Sequence, residues 1–107
     1  MGYGGIFGAK AEGLKEYTAT ISTNWQEDSN TGVKSQRVPL ADVTSANTAF
    51  VDHVFQDGVG YETYVEAENQ FIKYILNGYA ETYDGGVAFY IFGDAPTVEI
   101  PIIVGVA

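Results

Sequence analysis

The residues able to do chemistry in this chain of 107 are few in kind: one histidine, His53, no cysteine, fourteen acids and eight tyrosines. A lone imidazole without thiolates holds zinc only if several carboxylates reach it from elsewhere, so His53 is expected to be an ordinary strand residue. Ser22, Ser29, Ser35 and Ser45 are available as nucleophiles, but none lies in a Gly-x-Ser-x-Gly turn, which argues against acyl transfer. Paired carboxylates could cleave a glycosidic bond, with Asp52 and Asp57 or Glu66 and Glu68 as candidates. In so acidic a chain such pairs arise from composition alone, and solvated charge is the favoured reading. Glu27, Asp28, Asn30 and Gly32 share a polar loop that could hold Ca²⁺, yet their spacing does not match an EF-hand loop. No metal site and no cofactor are expected.

The tyrosines are more suggestive. A flat ring with a polar tip stacks on a sugar face and donates a hydrogen bond, so Tyr61, Tyr64, Tyr79 and Tyr83 could line a saccharide site. Tyr61, Tyr64 and Tyr83 are taken as the candidate ligand-binding residues. Burial of half of these rings in the core or an interface is an equally good reading.

Charge narrows the partners. A formal net charge of -9 repels phosphate backbones and anionic headgroups, which excludes nucleic acid and membrane surfaces as partners. No apolar run approaches the ~20 residues that span a bilayer, and no secretion signal is readable behind Met1, so a soluble chain is expected. The length suits one domain with one core. Thirteen glycines and eight tyrosines with three prolines fit a mainly β domain.

Residues 1–13, rich in glycine with Ile6 and Phe7 as their only apolar pair, read as a flexible arm, leaving 14–107 as a single domain. Tyr17, Ala19 and Ile21 share one face of a first strand ending near Thr23, and Trp25 continues the inward phase. Short strands follow through Gln36–Leu40 and Phe50–Gln56, separated by polar turns. From Gly60 to Asn77 the period changes: Tyr64, Val65, Phe71, Ile72 and Ile75 gather on one side of an amphipathic helix, with Asn77-Gly78 as a left-handed cap. Tyr79–Tyr83, a turn at Asp84-Gly85-Gly86, and Val87–Phe92 form a hairpin.

The final run, Pro96 to Val106, is β-branched and nearly uncharged, and wants to close a core or an interface. Pro101 lacks a ladder donor and suggests an edge strand. An edge this apolar needs a cover, and a second copy of the chain would supply it through Val98, Ile100, Ile102 and Val104, the candidate oligomer interface.

The strand-plus-tryptophan opening (Tyr17–Trp25), the next strands (Val38–Val54), the glycine-terminated helix (Tyr61–Gly78) and the hairpin closed by Pro96-Thr97-Val98-Glu99-Ile100-Pro101-Ile102 together resemble a known family. It comprises the small C-terminal domains of tail-fibre, baseplate and head-fibre proteins of phages that infect Gram-positive bacteria. The resemblance implies a compact antiparallel β-sandwich with one short helix, a homotrimer on the virion surface, and contact with the host. It carries over no catalytic residues. What it implies here is a non-enzymatic fibre or appendage module, made in the host cytoplasm, that attaches to the host surface; the tyrosines make a host cell-wall saccharide the candidate ligand, and the arm would meet other virion proteins. A capsid or tail decoration protein is the alternative, and a small carbohydrate-active enzyme the third reading.

Overall fold

Alternation of apolar and polar residues writes two inward faces into the chain, and a helix covers the gap between them. The computed structural model describes residues 14–107; the stretch 1–13 expected to act as an arm lies outside the described residues. The elements are β1 (Lys15–Ile21), β2 (Gln26–Glu27), β3 (Val33–Pro39), β4 (Ala49–His53), α1 (Tyr61–Gln70), a π-helical turn (Phe71–Ile75) that prolongs α1, β5 (Tyr79–Tyr83), β6 (Gly86–Phe92) and β7 (Ile100–Val106). They form a mainly β fold of two antiparallel sheets, ordered β1-β7-β4 and β2-β3-β6-β5, consistent with a β-sandwich. Ile100, Ile102 and Val104 from one sheet and Val87, Phe89 and Ile91 from the other join a single buried cluster with Phe71 and Ile75 of the helical segment.

The closing strand differs from expectation. β7 is the central strand of its sheet, with β1 on one side and β4 on the other, so the cover that its apolar residues demand comes from the same chain. Ile100, Ile102 and Val104 are fully buried, which removes these three as a surface for a second copy, while Val98 is half-buried against the core. Pro101 is accommodated without an edge. Its carbonyl accepts from the Val54 amide at 3.1 Å, so its backbone faces β4 where that ladder ends at His53, and the missing donor falls beyond the last paired residue.

The helical segment buries Tyr64 in part and Ala67, Phe71 and Ile75 more fully, positions that share one face at helical spacing. Val65 and Ile72 lie one residue on, about 100° around the axis, so Ile72 stays 45% exposed instead of facing inward. Gly78 is not left-handed. Glycine is needed there because the chain leaves the helix hard against β6, where a Cβ would collide with the Tyr90 carbonyl. Asn77 does the capping, its Nδ2 donating to the Lys73 carbonyl at 3.0 Å.

Candidate functional site

The four-stranded sheet presents its outer face to solvent, and its register decides which rings stand there. Tyr79 pairs with Tyr90, Glu81 with Ala88 and Tyr83 with Gly86, while Arg37 pairs with Ala88, Ser35 with Tyr90 and Val33 with Phe92. Because Val87, Phe89 and Ile91 point inward, Tyr79, Tyr83, Tyr90 and Phe92 must point out. Tyr79 is 55% and Phe92 64% exposed. The Tyr79 and Tyr90 rings lie 5.3 Å apart, and both hydroxyls reach the Glu81 carboxylate, at 3.2 and 3.4 Å. The charge of Glu81 holds the Tyr79 phenol above its ordinary pKa, keeping it a protonated donor. At the hairpin end the Arg37 guanidinium sits 4.6 Å over the Tyr83 ring.

This face runs into a groove of about 530 Å³ at the β2–β3 side, walled by Trp25, Gln26, Ser35, Arg37 and the Ser22–Asn24 turn. Gln36 builds the turn: its Oε1 accepts from the Ser22 amide at 2.7 Å, and its Nε2 donates to the Ser22 and Asn24 carbonyls, each at 3.0 Å. The Trp25 Nε1 is buried without a hydrogen-bond partner among the described residues.

The candidate tyrosines divide between two places. Tyr83 belongs to the outer face just described. Tyr61, 78% exposed, and Tyr64 start α1, and no aromatic pairing joins either of them to Tyr83. Tyr64 instead stacks on His53 at 4.8 Å and meets the edge of Phe55 at 5.3 Å.

His53 ends strand β4, and its ring reaches across to α1. Its Nδ1 lies 2.6 Å from Glu68 Oε1, and since a carboxylate only accepts, the imidazole donates from Nδ1. The ring opens onto a cavity of about 330 Å³ between α1 and the β4–β7 end of the smaller sheet, walled also by Thr20, Gln56, Thr63, Tyr64 and Glu99. Nothing in the local sequence around His53 announces Glu68, which the helix delivers from fifteen positions away. Glu66 turns to the other side of α1, where its Oε2 accepts from Gln70 Nε2 at 2.6 Å, so the Glu66 and Glu68 carboxylates do not face one substrate.

Asp52 is only 6% exposed although its neighbour His53 is the inward residue. Burial pushes its carboxyl above the ordinary range, opposed by the His53 amide that donates to it at 2.8 Å and aided by the charge of Glu68. A raised folded-state pKa stabilises the fold at acid pH, and that contribution is lost as pH rises through the folded value. Asp52→Asn keeps the acceptor and removes the charge. It is expected to melt a few degrees above the parent at pH 7, with the gap closing towards pH 4; thermal melts of both proteins across that range check it, and a gap that widens on acidification would refute it.

Asp28 spends its carboxylate locally, accepting from the Asn30 and Thr31 amides at 2.8 and 3.3 Å to close the β2–β3 turn. Among the described residues no cluster of three or more histidines and acids could hold a metal ion. No helix among the described residues is long and apolar enough to cross a membrane. Comparison with protein-family models, curated proteins and solved structures gave no match.

Proposed function

We propose that this chain is a non-enzymatic attachment module that grips a host cell-wall saccharide with the outer face of its four-stranded sheet, and that it serves on the surface of a phage virion. One observation carries the binding part: Tyr79, Tyr90, Phe92 and the Tyr83–Arg37 pair stand on one rigid face that continues into a polar groove. Rings supply stacking area, Glu81 and Arg37 supply hydrogen bonds, and ladder pairing fixes their spacing before any ligand arrives. The virion role rests on the resemblance of Tyr17–Val106 to phage appendage domains. Assembly as a homotrimer follows the same resemblance and uses a surface other than β7. Three weak sites on one rigid assembly, and many assemblies on one particle, turn contacts of about millimolar strength into stable attachment.

The test is binding of the chain to purified Gram-positive wall polysaccharide. Replacing Tyr79 and Tyr90 together with Ala is expected to weaken binding by about ten-fold or more with an unchanged circular dichroism spectrum. Salt is expected to matter little, because the contacts are short-range. Binding that collapses with salt and ignores both tyrosines would favour an electrostatic partner and the decoration reading, and release of sugar from the polymer would favour the enzyme.

A further inference from the structure

The cavity beneath α1 lies outside that sheet face and has a chemistry of its own. We propose that it is a second binding site, for a small hydroxylated organic cation: a primary ammonium carried on a frame no larger than one amino-sugar ring. Its volume, about 330 Å³, stands at the lower end of what small-molecule sites enclose, enough for a single ring and not for a chain of them.

Charge sets the sign of the ligand. Among the described residues Glu99 is the one carboxylate on the wall, and no lysine or arginine lines it. Behind the wall stands Glu68, bound to the His53 ring, and Asp52 is the next residue along β4. The positive end of α1 lies nearby, but Glu62 in its first turn offsets it. An anion here would meet like charge, and a cation would find a partner in Glu99.

The remaining wall suits a hydroxylated carrier. Thr20, Thr63 and the Gln56 amide offer donors and acceptors, while Val59 and Ala67 give the ring an apolar side. The walls are held in place before binding. His53 is pinned between Glu68 and Tyr64, and the segment leading to Glu99 is clamped to α1 because the Thr97 amide donates to Gln70 Oε1 at 2.7 Å and Gln70 Nε2 donates to Thr97 Oγ1 at 3.0 Å.

The experiment is an amide-resolved NMR titration of the full chain with glucosamine, N-acetylglucosamine and glucuronate at constant ionic strength. Glucosamine alone is expected to give saturable shifts at Thr63, Tyr64 and Glu99. Glu99→Gln is expected to weaken that binding by about ten-fold while leaving the rest of the spectrum in place. The double Tyr79→Ala, Tyr90→Ala variant is expected to bind glucosamine as the parent does, which separates this site from the saccharide face. Equal binding of N-acetylglucosamine, tighter binding of glucuronate, no saturable shift, or indifference to Glu99→Gln would each overturn the proposal.

Discussion

An Ile102→Asp variant is expected to lose its fold, not merely its partners. Ile102 is fully buried at the middle of β7, opposite Ala19 of β1 on one side and His53 of β4 on the other. The imidazole opposite is already engaged by Glu68, and no lysine or arginine among the described residues pairs with that position, so an ionised carboxylate there stays unpaired at a cost of several kcal/mol. Total stability of a domain this size is about 5–15 kcal/mol, so one such substitution removes most of it. Circular dichroism and urea denaturation at neutral pH should find the variant unfolded or marginal at 25 °C. A cooperatively folded monomer with the parent's urea midpoint would show that the side chain faces a removable partner after all.

Gly86→Ala is expected to be nearly as damaging, for a backbone reason. A Cβ at position 86 would run into the Val38 carbonyl and approach the Pro39 Cα to 3.0 Å, and neither can step aside without shifting β3 away from β6. Overpacking of this kind costs about 1–3 kcal/mol, and here it strikes the hairpin end of the sheet that carries the aromatic face, where β6 meets both β3 and β5. The melting temperature should fall by about 10 °C or more, and saccharide binding should weaken with it because Tyr83 and Arg37 flank the same spot. A variant that melts within a degree or two of the parent would mean that the two strands part more easily than their geometry allows.

Much of the fold was legible because alternation is local. Tyr17, Ala19 and Ile21 on one phase, and the hairpin with its turn at Asp84-Gly85-Gly86, were placed from neighbours alone, although Gly86 proves to be the first residue of β6. The order of strands was not, since nothing in an apolar run says whether it borders one neighbour or two; Pro101 pointed to an edge because the sequence cannot show that β4 stops one residue short of it. The same limit acted on the sites. Tyr79 and Tyr83 could be picked out as rings with a polar tip, whereas Tyr90 and Phe92 were readable only by carrying the Val87, Phe89, Ile91 phase through the strand and asking what its other face holds. The pairing of His53 with Glu68 joins a strand to a helix across a turn and leaves no local signature.

The central position of β7 also bears on how the chain reaches this state. Lys15 pairs with Val106 and Tyr17 with Val104, so the ladder partner of the first strand is the last, across nearly the whole described length. β4 waits for the same strand. Closing loops of that size must precede any reward from the contacts they bring, and domains dominated by such distant pairings fold over about milliseconds to seconds, against microseconds for local ones. The β5–β6 hairpin needs only a two-residue turn and is the natural place for order to start. The three-stranded sheet is therefore expected to form after the hairpin, because until β7 enters between them neither β1 nor β4 has a ladder partner.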